Sequence, residues 1–506
     1  MNYKHILRSC LLSAVIGSSF ARQAPDPAAL QKIREEGLNH SKVMDLAFYL
    51  TDVNGPRLSN SPGLKKAEDW ALNMLKSWGA ANATLEYWGD FGKGWEQQKS
   101  YLAMRSPYYQ PMTGVPKAWS GSTAGMVRSE VILVKPDSTV IANLGAALKG
   151  KIVIYDTKNE LSTKFTPDAA RFTEEELAAM DQPAAPRAAA TGTVLSAAKK
   201  LKLTEMLYQQ GAVLLLNLAS GTHGTVFTTA GPSYKVDAKP TLAQIDVSSE
   251  DYLRMVRLLK AGIKVESEAE VSTVFYDDPK AYNVIAEIPG SDPKLKDEVV
   301  MLGAHLDSWH GATGATDNAS GCAIMMEAFR IIKEQGLKPR RTIRLALWSS
   351  EEQGLHGSKN YVLEHFGDPA TMKLKPGQKK ISAYYNLDNG AGKIRGIYTQ
   401  QNTGVEKIFA EWLAPFKDLG ATKVAKRNTG STDHIAFDAV GIPGFQFIQD
   451  RLEYFTRTHH SSADTYDRLI GDDLKQASVI VASFVYNTAQ LNDKLPRKEL
   501  PAAKNK

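Results

Sequence analysis

The sequence predicts an α/β fold: a mixed, mostly parallel sheet flanked by helices, with a β-rich domain inserted into it. Three observations carry this. From about residue 281 onward, short apolar runs alternate with stretches of helical periodicity, the pattern of strands joined by covering helices. Residues 27–80 read as helical. Between them, 106–275 has a different texture, with short β-like runs separated by turn-rich segments. A chain of 506 residues that is 43% hydrophobic and 23% charged is an ordinary globular mixture. That excludes disordered, collagen-like and coiled-coil classes. Two cysteines, Cys10 and Cys322, cannot build a disulfide framework. A formal charge of +6 without a dense basic stripe gives no basis for a nucleic-acid partner.

The elements follow in order. Lys4 and Arg8 precede the short apolar run 10–20, and Ser19-Phe20-Ala21 offers small residues for cleavage. A signal peptide over 1–21 is therefore expected, and with it a secreted or periplasmic protein. The apolar run is too short to span a bilayer comfortably, so no stable membrane insertion is expected; a membrane anchor is the competing reading. Cleavage would leave Cys322 as the one cysteine. In 63–79, apolar residues fall at Ala67, Trp70, Ala71, Met74, Leu75 and Trp78, the rhythm of an amphipathic helix ended by Gly79. Residues near 85–105 read as strand and loop. Within 106–275, β-like runs appear at 131–134, 151–155 and 212–216, with a helix over 197–210 and an Ala/Pro-biased loop over 182–190. Strands are then expected at 299–304, 342–348, 382–387 and 444–448. Helices are expected at 321–335, capped by Ser320 or Asn318, at about 406–416, and at 472–491. The main domain is thus split, 24–105 and 276–495, around an insert of 106–275, with a basic tail over 496–506.

The chemistry lies where these strands end. The first runs into His305 and Asp307, the second into Glu351 and Glu352, the third into Asp388. Ligands of open α/β sheets bind beyond the carboxyl ends of strands, so one rim receives all of these side chains. A loop before a helix carries Asp317, and another loop carries His459 and His460. Imidazole and carboxylate together suit zinc. One carboxylate can reach two ions, while a further one must stay off the metals to accept a proton. Taken singly, an Asp at a strand end is more often a structural hydrogen bonder; the joint pattern is what points to a site. His5, His40, His223, His310, His356 and His365 read as structural or surface residues. There is no G-x-S-x-G elbow and no H-E-x-x-H zinc motif.

H-x-D at 305–307, D-N-A-S-G at 317–321, E-E at 351–352, N-x-D at 386–388 and H-S-x-x-D-T at 460–465 occur in this order. The set resembles the zinc-dependent exopeptidases related to bacterial leucine aminopeptidase and glutamate carboxypeptidase. N-G-P-R-L at 54–58 and the paired histidines look closest to the carboxypeptidase Q branch. The insert resembles a protease-associated domain through G-K-I-V-I-Y-D at 150–156 and Q-Q-G-A-V-L-L-L-N-L at 209–218. The resemblance implies two zinc ions and hydrolysis of dipeptides or short peptides through a metal-bridged water. It implies His305 and Glu352 on one zinc, Asp388 and His460 on the other, Asp317 between them, and Glu351 as general base. Asp307 would hydrogen-bond His305 and set its tautomer. His460 is preferred to His459 because it lies four residues before Asp464. His459, which stands where many relatives carry Tyr, is expected to donate to the tetrahedral intermediate. Asp433 and His434 resemble a segment lining the substrate pocket, and a structural loop role is equally open to them. Cys322 is expected in the core. The partner is a short peptide substrate, and a homodimer stays open. The competing classes are a non-catalytic receptor or binding protein on the same fold, and a glutaminyl cyclase-like transferase with one zinc.

Overall fold

The strand Val299–His305 sits inside the main sheet because both of its faces are apolar. Val300, Leu302 and Ala304 join one core; Val299 and Met301 join another on the opposite face. This is the two-residue alternation of a strand covered on both sides. The computed structural model describes residues 25–182, 195–228 and 231–503. The expected signal peptide and nearly all of the 182–190 loop lie outside these residues.

Eight strands form the main sheet. Their order is Ala81–Asp90, Lys280–Ile288, Thr342–Trp348, Val299–His305, Ile381–Asn386, Gly444–Gln449, Ile394–Tyr398 and Lys423–Ala425. The four from Thr342–Trp348 to Gly444–Gln449 pair in parallel. Antiparallel strands flank them on both sides, which makes the sheet mixed. One face is covered by Pro27–Asn39, Pro62–Ser77, Ser320–Glu334, Glu406–Leu413 and Gly471–Gln490; the other by His356–His365 and His434–Asp438.

Pro62–Ser77 begins where its sequence provides a cap. The Ser61 side chain accepts from the Leu64 N–H, and Pro62 occupies the first turn. Leu64, Ala67, Ala71 and Leu75 are buried, while Trp70, Met74 and Trp78 flank them half-buried. Ser320–Glu334 is preceded by the irregular turn Ala315–Ala319, and Asn318 Oδ1 accepts from the Gly321 N–H at 3.1 Å.

A second eight-stranded sheet comes from 94–276 and has its own core. Its central strands Val127–Val134, Ile152–Tyr155, Leu214–Leu218 and Gln244–Val247 pair in parallel. Gly94–Ser106, expected with the first part of the main domain, pairs instead with Glu266–Tyr276 in this sheet. The chain enters and leaves the insert through two adjacent antiparallel pairs, 81–90 with 280–288 and 94–106 with 266–276. Among the described residues no helix is long and apolar enough to cross a membrane.

Candidate metal centre

His305 ends its strand with 1% exposure. Its Nδ1 lies 3.0 Å from the main-chain carbonyl of Asp307. A carbonyl can only accept, so this contact places the hydrogen on Nδ1 and leaves Nε2 facing the rim. The expected bond between Asp307 and His305 is thus made through the Asp307 backbone, and its carboxylate Oδ1 stands farther off, 3.7 Å from Nδ1. That carboxylate is taken up by other donors, the N–H groups of Glu351 at 3.1 Å and Glu352 at 3.2 Å and the Ser59 hydroxyl at 3.0 Å. Asp307 thus orients His305 through its backbone and holds the Glu351–Glu352 turn through its side chain.

Nε2 of His305 lies 3.4 Å from Asp317 Oδ1 and 3.4 Å from Asp388 Oδ1. Nε2 of His460 lies 2.8 Å from Glu352 Oε2 and 3.2 Å from Asp317 Oδ2. The two oxygens of Asp317 therefore face two different histidines. The shortest contacts set His305 beside Asp388 and Glu352 beside His460, and His305, Asp317 and Glu352 also bring ligand atoms together. His459 Nε2 is more remote, 3.9 Å from Asp317 Oδ2, and its ring stacks on His460 at 3.6 Å. Glu351 Oε2 is 4.0 Å from His305 Nε2.

The donor set fits divalent metal. Asp317 Oδ2 and Glu352 Oε1 are buried with no hydrogen-bond partner among the described residues. Buried carboxylates without compensation are costly, and a cation between them removes the cost. Burial pushes the carboxyls of Glu351 and Glu352 well above their usual range, and neighbouring Asp388 and Asp317 add to it. Burial alone would lower the His305 imidazole, but the Asp388 and Glu351 carboxylates raise it well above its ordinary value. Three overlapping triads bring ligand atoms together: His305–Asp317–Glu352, His305–Glu351–Asp388 and Asp317–His459–His460.

Several supports were not assigned from sequence. Asp464 accepts from the N–H groups of Thr316 at 2.6 Å and Asp317 at 3.1 Å, which fixes the backbone of the central carboxylate. Burial and the neighbouring Asp317 raise Asp464 to about 7. Arg57, fully buried, donates to the carbonyls of Leu306, Leu50, Thr313 and Gly314 at 2.7–2.9 Å. Both residues stood inside quoted motifs, so the signal was there without its meaning. Trp309 lies beside His460, and Tyr454 beside His459. Cys322 is buried, with its thiol on the His305 carbonyl.

Asp433 and His434 have no solvent exposure. The His434 ring lies against Gln400 and the Thr429 carbonyl, and burial lowers it to about 4. Both Asp433 oxygens are buried, and burial raises this carboxyl to about 7.

Residues 283–485 match peptidase family M28. Carboxypeptidase Q of Mus musculus is 28% identical over 505 residues, which span 96% of this chain and 97% of that protein. Leupeptin-inactivating enzyme 1 of Streptomyces exfoliatus is 31% identical over 223 residues, 40% of this chain and 48% of that one. The solved structure of a peptidase M28 precursor from Shewanella amazonensis matches with a TM-score of 0.68 at 25% identity, covering 94% of this chain and 98% of that one. A zinc aminopeptidase from Bacillus subtilis shares the fold, with a TM-score of 0.55 at 19% identity over 88% and 93% of the two chains.

Proposed function

We propose that this chain, whose residues 283–485 match peptidase family M28, is an exported dizinc exopeptidase acting on dipeptides or other short peptides. The observation that carries the reading is Asp317, whose two oxygens face His305 and His460 separately. His305 and Asp388 would hold one zinc, Glu352 and His460 the other, and Asp317 both. Zinc bound there supplies Lewis acidity toward a peptide carbonyl and makes water a nucleophile at neutral pH.

The protein's own groups do the rest. Glu351 is 9% exposed, and burial gives its carboxylate a raised proton affinity. It takes the proton of the attacking water and returns it to the leaving amine. Asp307 keeps Glu351 in place by accepting its N–H. Burial lowers the His459 imidazole, leaving it neutral near pH 7 with one N–H to donate to the oxygen of the tetrahedral intermediate. The insert, read as a protease-associated domain, packs against the loop bearing both histidines. Similarity to carboxypeptidase Q over nearly the whole chain supports a peptide substrate.

The test combines Glu351→Gln with free and end-blocked di- and tripeptides. The variant is expected to keep its metal and lose about 100-fold or more in kcat. Wild-type turnover in Glu351→Gln would remove Glu351 as the base. Activity lost on blocking the amine marks an aminopeptidase or dipeptidase; activity lost only on blocking the carboxylate marks a carboxypeptidase. Metal analysis giving one zinc per chain would overturn the dizinc reading.

A further inference from the structure

The loop that carries His459 and His460 is gripped from two sides by the inserted domain. On one side, Thr228 directs two donors at the carbonyl oxygen of His460, its N–H at 2.7 Å and its Oγ1 at 2.9 Å. The neighbouring bonds are reciprocal. The Val226 N–H donates to Ser462 Oγ at 3.0 Å, and the Ser462 N–H donates to the Val226 carbonyl at 2.9 Å. On the other side, the Ala170 N–H donates to the Leu452 carbonyl at 3.0 Å, and Thr456 Oγ1 to the Asp168 carbonyl at 2.8 Å.

His460 needs such a grip. Its φ is +57°, the left-handed region that a side chain with a Cβ rarely adopts. A backbone held there persists only where its surroundings fix it. Thr228 is suited to do so: it is 3% exposed, and its methyl lies where a Cβ on Gly311 would come within 2.7 Å. A carbonyl oxygen has two lone pairs, and Thr228 fills both with one residue.

We propose that Thr228, from the inserted domain, is a positioning residue for His460. By holding the His460 carbonyl it fixes the turn that aims the imidazole at Glu352 and Asp317. The insert is then a structural part of the metal centre. The inference rests on the reading of His460 as a zinc ligand.

The test uses the full chain, with zinc titrated against a chromophoric chelator, alongside kcat and KM. Thr228→Val removes the hydroxyl but keeps the shape and the N–H. It is expected to weaken one of the two zinc-binding steps by about 10–100-fold, leave the other intact, and lower kcat more than it raises KM at limiting zinc. Thr228→Ser restores the hydroxyl and should bind zinc as the wild type does. Ser129→Ala, which removes a similar bond to the Gly150 carbonyl elsewhere in the insert, should change neither step. If Thr228→Val does not fold, Ser462→Ala reads the same junction and should weaken the same step. Unchanged affinities in the folded variants, with one step lost in His460→Ala, would overturn the role of Thr228 alone. A Thr228→Ser defect equal to that of Thr228→Val would also overturn it, since packing would then be the cause. Both steps intact in His460→Ala would overturn the ligand reading itself.

Discussion

Asp317 is the residue on which both halves of the centre converge, with Oδ1 toward His305 and Oδ2 toward His460. An amide has only one carboxyl-like oxygen, so Asp317→Asn should weaken both zinc steps together. Outer partners of metal ligands are worth about 10–100-fold in affinity, and a shared ligand should be worth at least that. Metal analysis after dialysis checks this: loss of a single ion would assign Asp317 to one site. His310 carries a different prediction. Burial depresses its imidazole to about 4, even though Nε2 lies 2.7 Å from the Pro116 carbonyl. The unfolded chain titrates near 6.5, so its stability contribution is complete above about pH 6.5. As pH falls toward 4 the unfolded state takes the proton first, and about 3 kcal/mol is lost. In His310→Gln the urea midpoint should therefore fall less between pH 7 and pH 4.5 than in the wild type; equal slopes would exclude His310 as a source. At this scale the sequence showed which residue types gather. The choice of His460 over His459 came from a spacing; measured to the same Asp317 oxygen, His460 Nε2 lies at 3.2 Å and His459 Nε2 at 3.9 Å.

Strand ends are the elements that the sequence read best. Thr342–Trp348 has the bounds expected, and Val299–His305 differs by one residue. Both are apolar runs buried on two faces, and such runs stop where polar residues begin. The irregular parts were less legible. A loop role is open to Asp433 and His434 by sequence, yet His434 opens the short helix His434–Asp438. Arg57 lay in a quoted motif without a role, because four of its five acceptor carbonyls come from residues 50 and 306–314. Its fork joins the helical N-terminal segment to the loop after the strand Val299–His305. Arg57→Ala would leave several buried carbonyls without donors and should cost about 3–5 kcal/mol, read as a lower urea midpoint. Arg57→Lys should recover little, since an ammonium cannot reproduce the fork. A lysine variant as stable as wild type would reduce Arg57 to a simple charge.

In the molecule as a whole, zinc binding and folding should be coupled. The proposed ligands come from three strand ends and two loops, one of which the insert holds. A ligand that binds only the folded state stabilises it by about 4 kcal/mol at 1,000 times its Kd. Chelation should therefore lower the melting temperature, and added zinc should restore it in a concentration-dependent way. A melting curve indifferent to chelator would mean that the centre is preformed without metal and contributes nothing to stability.

Local pattern alone determined the fold class, the succession of strands and helices, and the delivery of histidine and carboxylate to one rim. Those depend on periodicity along a few neighbouring residues, which a sequence carries in full. Tertiary structure alone decided which carboxylate oxygen faces which histidine. It also decided that Asp307 holds the Glu351–Glu352 turn, that Gly94–Ser106 belongs to the second sheet, and that Thr228 meets His460. Each of these is a contact between residues far apart in the chain. Its geometry is set by the packing of whole elements, and no spacing in the sequence encodes it.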